Sequence, residues 1–181
     1  MPRTTGQVPI HSGQPHGTGY RRSADDMHKG YGDGPSTPLY AFGHGLSYTT
    51  FEYSQLDVDS TTVATDGAID AALVVRNTGD RADTATGVTR PALQLVGFTR
   101  VTLQPGERVR IAARIPLSVA SYVGLSGTRV MEPGRVTVYA GSASDDLRLS
   151  AQVDVIGETV VLDGSRELLS KVAAQVLADG E

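Results

Sequence analysis

The chain has 181 residues, 39% of them hydrophobic, and a formal net charge of -4. It contains no cysteine, which excludes a disulfide framework and a thiolate metal site. No basic run could clamp a phosphate backbone and no apolar run approaches membrane-spanning length, so neither nucleic acid nor a membrane is an expected partner.

Residues 1–37 form the most irregular stretch, rich in Gly, Pro, His and Asp, with Gln7–His11 as its one strand candidate. Such a segment cannot bury enough apolar surface to order itself. It reads either as a disordered leader or as a surface loop belonging to a larger scaffold. Its start, "MPRTTGQVPIHSGQPHG", has no signal-like apolar region and does not read as the beginning of a domain. The compartment stays open: with no signal peptide the chain reads as cytoplasmic only as written. The stretch "PLYAFGHGLSYTTFEYS" then concentrates Tyr40, Phe42, Tyr48, Phe51 and Tyr53 in a chain that has only seven tyrosines and three phenylalanines.

From Thr49 the texture changes to short alternating runs. Phe51 and Tyr53 share a strand face, and Leu56 and Val58 fall out of phase with them, so a bulge or bend is expected near Ser54. Ile69, Ala71, Leu73 and Val75 alternate up to a turn at "NTGD", Asn77–Asp80. Leu93 and Leu95 alternate, followed by Val101 and Leu103. In "QPGE", Pro105 and Gly106 fit a type II turn. Val109, Ile111, Ala113 and Ile115 then face one way, against Arg108, Arg110, Ala112 and Arg114. A second Pro-Gly turn is expected at Pro133–Gly134, ahead of Val136, Val138 and Ala140. Leu147, Leu149, Ala151, Val153 and Val155 alternate against Arg148, Ser150, Gln152 and Asp154. Short strands with one buried face and frequent turns predict an antiparallel β-sandwich, with Phe98 and Tyr139 in core-like positions.

The last stretch changes period. Leu169, Val172, Ala173, Val176 and Leu177 lie on one helical stripe, with Ser165 as N-cap and Glu167 in the first turn. A short C-terminal helix is therefore expected.

The segment "TPLYAFGHGLSYTTFEYSQL" closely resembles the one that links the second catalytic domain to the C-terminal module in glycoside hydrolase family 3, which contains β-glucosidases and β-xylosidases. The family commonly has proline where this chain has Ala41. Phe42, Gly43, Gly45, Leu46, Ser47, Tyr48, Thr49, Phe51 and Tyr53 stand as expected. "VVRNTGDRA", "TRPALQLVGFTRVTLQPGE" and "EPGRVTVYAGSASDDLRLSAQVDVIGE" resemble the family's fibronectin type III-like domain.

The resemblance implies three parts: residues 1–48 as the tail of a catalytic α/β domain and linker, 49–158 as a fibronectin type III-like (immunoglobulin-like) sandwich, and 159–181 as a partly helical tail. The linker motif, structural in role, comprises Pro38, Leu39, Tyr40, Phe42, Gly43, His44, Gly45, Leu46, Ser47, Tyr48, Phe51 and Tyr53. Pro38, Gly43 and Gly45 supply turns, and the aromatics supply apolar area with hydroxyl handles. His44 is expected to be a packed or hydrogen-bonded interface residue. Family members usually carry an extra apolar strand where this chain has only Arg81–Val88. A strand missing there, or replaced by an irregular crossing, is therefore expected.

The family's reaction is retaining hydrolysis through two carboxylates, which must sit about 5–5.5 Å apart. Neither catalytic motif occurs in this chain, so no catalytic residue is assigned and the chain alone is expected to be inactive. Asp25 with Asp26, Asp57 with Asp59, and Asp145 with Asp146 have plain solvated-surface readings. His11, His16, His28 and His44 lack the spacing of a zinc site. No metal or cofactor is expected. The implied partners are the catalytic domains of a family 3 glycosidase, in cis or, if the gene is split, in trans. The implied parent would hydrolyse terminal β-linked glucose or xylose. The alternative is a stand-alone carbohydrate- or polymer-binding module. It requires exposed aromatic platforms, and beyond Tyr53 the chain has only Phe98, Tyr122 and Tyr139 to offer.

Overall fold

The computed structural model describes residues 38–89, 94–164 and 166–178, with the backbone alone for 83–89. Expectations for Gln7–His11, Asp25, Asp26, His11, His16, His28, Leu93 and Ser165 lie outside the described residues.

Among the described residues twelve strands follow in order: β1 Phe51–Val58, β2 Thr62–Ala64, β3 Ala68–Asn77, β4 Asp83–Thr89, β5 Gly97–Leu103, β6 Arg108–Pro116, β7 Tyr122–Val123, β8 Arg129–Met131, β9 Gly134–Ala143, β10 Asp146–Ile156, β11 Val160–Leu162 and β12 Lys171–Leu177. One sheet has the order β1-β3-β6-β12. Facing it are β2-β10-β9 and the pair β4-β5, with β4 lying beside β9. A small sheet, β11-β8-β7, closes one end. Pairing is antiparallel except between β10 and β2.

The core is what the alternation predicts. Ile69, Ala71 and Val75 of β3 and Val109, Ile111 and Ile115 of β6 are buried. They meet Val138 of β9 and Val153 and Val155 of β10 in one apolar cluster, and Tyr53 and Leu103 in a second. Burying a side chain of this size is worth about 1.5–3 kcal/mol, which explains why strands with one apolar face are driven into two facing layers. The expected break in β1 is present. The β1–β3 register shifts between Ser54 and Asp57, and Gln55 takes a φ of 56°. This lets Phe51, Tyr53, Leu56 and Val58 all turn toward the core. At the "QPGE" turn, Gly106 has a φ of 80° and Glu107 N donates to Gln104 O at 3.0 Å, as a type II turn requires.

Four expectations are corrected. First, the C-terminal segment is a strand, not a helix: β12 pairs with β6 from Lys171↔Arg114 to Leu177↔Arg108. The open edge of β6 offers a full ladder of backbone partners, and that outweighs the segment's helical period. Second, no strand is missing at Arg81–Val88, because β4 runs from Asp83 to Thr89 and pairs with β5 along its whole length. Backbone pairing does not need bulky apolar side chains, and threonine and valine suit a pleated strand.

Third, neither Phe98 nor Tyr139 is a core residue: Phe98 is 59% exposed, and Tyr139 is half-buried, out of phase with the buried Val138 and Ala140. In β5 the buried phase is Gly97 and Leu103, which puts Phe98 on the outer face. Fourth, Gly134 is the first residue of β9, paired with Val155, rather than part of a turn.

Candidate functional site: the linker face

The segment from Pro38 to Thr50 has no regular structure, yet it is pinned at both ends. Near its start, Ala41–His44 closes a turn, with His44 N donating to Ala41 O at 3.2 Å. Gly43 has a φ of 84°, which a side chain would strain, and a Cβ there would lie 3.3 Å from Ala143 Cα. Ser144 N donates to Phe42 O at 2.9 Å, so the strip lies directly on the hairpin between β9 and β10.

At its other end the strip is tied to the turn after β3. Asn77 is fully buried. Its Nδ2 donates to Leu103 O at 2.9 Å and to Arg81 O at 2.6 Å. Its Oδ1 accepts from Thr49 Oγ1 at 2.8 Å and from Gly79 N at 3.1 Å. One side chain thus joins the linker, the "NTGD" turn and β5. Thr78 N donates to Thr50 O at 2.9 Å alongside it. Ser47 braces the approach, accepting from Thr49 N at 3.1 Å.

Between these pins the apolar side chains face outward. Tyr40 is 50% exposed, Phe42 54%, Leu46 95% and Tyr48 84%. His44 is exposed, and its ring stacks obliquely on Tyr40 with centroids 4.9 Å apart. Tyr53 is buried and Phe51 half-buried, so the motif divides into outward-facing residues before Thr49 and inward-facing ones after it.

Beneath the strip, Arg148 organises a polar cluster. Its guanidinium carbon lies 4.6 Å from the centre of the Tyr53 ring. Its Nη1 donates to Phe51 O at 2.7 Å and its Nη2 to Asp146 Oδ2 at 2.6 Å. Ser142 Oγ also donates to Asp146. Arg148 and then Ser142 hold the Asp146 carboxyl below the usual range. Burial pushes the Tyr53 phenol up, with Arg148 opposing it. A cleft of about 640 Å³ opens here, lined by Leu46, Phe51, Arg100, Asp145, Asp146 and Arg148 among others. A carboxylate kept ionised by a chelating guanidinium is a poor general acid, so Asp146 serves as an anchor.

Asp57 and Asp59 are exposed. Among the described residues no group of three or more His, Cys, Asp or Glu could hold a metal. No helix among them is long and apolar enough to cross a membrane. Sequence reading missed Arg148, Ser142 and Asn77. Arg148 stands in the outward phase of β10 and so reads as solvated. Its role arises where the β9–β10 register shifts around Leu147 and the hairpin end meets β1.

Residues 81–144 match the model of the fibronectin type III-like domain. The chain is 32% identical over 158 residues to a putative β-xylosidase of Formosa agariphila, an alignment covering 82% of this chain and 20% of that protein. It is 33% identical over 156 residues to a periplasmic β-glucosidase of Salmonella typhimurium, covering 78% of this chain and 20% of that one. Among solved structures, the β-glucosidase of Listeria innocua in complex with glucose superposes with a TM-score of 0.73 at 25% identity, over 87% of this chain and 23% of that one. The chain spans about one fifth of the length of the curated relatives it matches. The linker motif, the sandwich and these relatives converge: the chain carries a fibronectin type III-like domain and matches a short C-terminal segment of family 3 β-glucosidases and β-xylosidases.

Proposed function

We propose that this module is non-catalytic and supports the catalytic domains of a family 3 glycosidase through the linker face. The parent, on this reading, hydrolyses terminal β-linked glucose or xylose. The observation that carries it is the exposure of Tyr40, Phe42, Leu46 and Tyr48 on a strip whose backbone is fixed. Large apolar side chains presented contiguously and held in place mark an interaction surface. They lie in the segment that, in the family, runs between domains. The division between linker and sandwich at residue 48 belongs to the same proposal, whereas the pairing of β12 with β6 carries the sandwich past residue 158. The relatives are about five times longer than the matched segment, which supports catalytic domains in cis.

The test is a chimera in which this chain replaces the matching segment of the Listeria innocua β-glucosidase. The chimera is expected to be active. A triple variant with Tyr40, Phe42 and Tyr48 changed to serine is expected to lose stability and activity. The isolated chain is expected to hydrolyse no aryl β-glucoside or β-xyloside. Turnover lost on changing one of its own acidic residues would overturn the non-catalytic reading.

A second reading, a carbohydrate- or polymer-binding module, draws support from the exposure of Phe98 and of Tyr122, whose hydroxyl donates to Glu132. Titration with oligosaccharides, with Phe98→Ala and Tyr122→Ala as controls, separates the two.

A further inference from the structure

Strand β12 is held against the preference of its own sequence. Alanine, leucine, lysine and glutamine favour helix, and the apolar positions from Leu169 to Leu177 recur at helical spacing. A strand sends successive side chains to opposite faces, so that stripe is split. Five of the seven residues of β12 are exposed. Val176 remains 56% exposed even though its partner, Val109, is buried. Lys171 stands directly opposite Arg114, a like-charge pairing that the ion pair of Arg114 with Asp70 relieves only in part. Just before the strand, Ser170 Oγ is buried without a hydrogen-bond partner among the described residues.

What holds β12 is its backbone ladder to β6, the hydrogen bond that Arg108 Nη2 donates to Ala178 O at 3.3 Å just past its end, and one well-fitted side chain. Its other edge pairs with no strand among the described residues. The side chain is Val172, which fills the space left by Gly97, where a Cβ would lie 3.0 Å from Val172 Cγ2. Ser170 N donates to Val96 O at 2.7 Å beside it.

We propose that the edge of β6 is a strand slot that accepts Lys171–Leu177 from a second copy of this chain, so that two copies exchange β12. The fit of Val172 against Gly97 selects this segment over an arbitrary strand. Contacts in the exchanged dimer are those of the closed chain, so exchange forfeits only the advantage of the tether. A short tether is equivalent to an effective concentration of about 1 mM, so exchange rises toward that protein concentration and on refolding.

The chain has no native cysteine, so single substitutions report cleanly. Ala112 and Ala173 are exposed cross-strand partners. Facing residues in an antiparallel pair are close enough for a disulfide. Full-length Ala112→Cys and Ala173→Cys chains are refolded together at high concentration and oxidised. A covalent heterodimer is expected, several-fold above that from Ala112→Cys with Ala174→Cys, whose side chain takes the opposite face. The double variant Ala112→Cys/Ala173→Cys in one chain at low concentration is expected to close internally. If it closes but the heterodimer does not exceed the off-face control, exchange is overturned. If it does not close, the pairing of β12 with β6 is itself wrong and the proposal falls with it.

Discussion

The Arg148 guanidinium lies over the Tyr53 ring, 4.6 Å from its centre, and from there reaches Phe51 O and Asp146. It links the start of β1, which follows the linker, to the β9–β10 hairpin on which the linker rests. A cation over an aromatic face is worth about 0.5–1 kcal/mol when exposed and ~2 or more when desolvated. Hydrogen bonds to charged groups add about 1.5–3 kcal/mol, to be discounted here for solvent screening.

Arg148→Ala is therefore expected to lower unfolding free energy by about 1–2 kcal/mol, measured by urea denaturation. Arg148→Lys should recover only part of this, because an ammonium cannot chelate Asp146 while also reaching Phe51 O. A loss in Arg148→Ala indistinguishable from that of Arg110→Ala would show that the cluster contributes nothing.

Asn77→Ala should be far more damaging than a surface change. It leaves Leu103 O and Arg81 O without the donor they share and removes the acceptor of Thr49 Oγ1. Each buried group left unpaired costs about 1–3 kcal/mol, so a loss of ~2–4 kcal/mol is expected by denaturant titration. A Thr49→Ala/Asn77→Ala double variant should lose less than the sum of the singles, since both break the same bond.

Asp146 gives the pH dependence a sign. Its carboxyl is held below its ordinary value in the folded chain, first by Arg148 and then by Ser142. A depressed folded value contributes stability that is present above the unfolded carboxylate range and is lost as pH falls through the folded value. Wild-type stability is thus expected to decline in acid more steeply than that of Asp146→Asn. Parallel pH profiles would contradict the pairing.

Gly43→Ala is expected to loosen the strip without unfolding the sandwich. The added Cβ meets Ala143 in a backbone conformation with a φ of 84°. Amide exchange should rise across residues 38–48 and stay unchanged in β3 and β6.

Where one face of a strand is apolar, the chain spells out its own architecture. Val109, Ile111 and Ile115 lie in the core as their alternation requires, and even the bulge of β1 is written in the phase change between Tyr53 and Leu56. β12 was illegible because the partner that decides its conformation is β6, far away in sequence. β4 was illegible because its identity as a strand rests on pairing with β5 rather than on apolar mass. The aromatic motif announced the linker face, but not its anchors. Asn77 looks like an ordinary turn residue and Arg148 like a solvated one until tertiary structure brings Thr49 and Tyr53 beside them.

The central claim, that the linker face docks on catalytic domains, is tested most directly by amide exchange across residues 38–50. The isolated chain is compared with the same residues in the Listeria innocua chimera. Strong additional protection of the strip is expected in the chimera, while the sandwich core exchanges equally in both. Equal exchange of the strip in both proteins, with the chimera active, would contradict it.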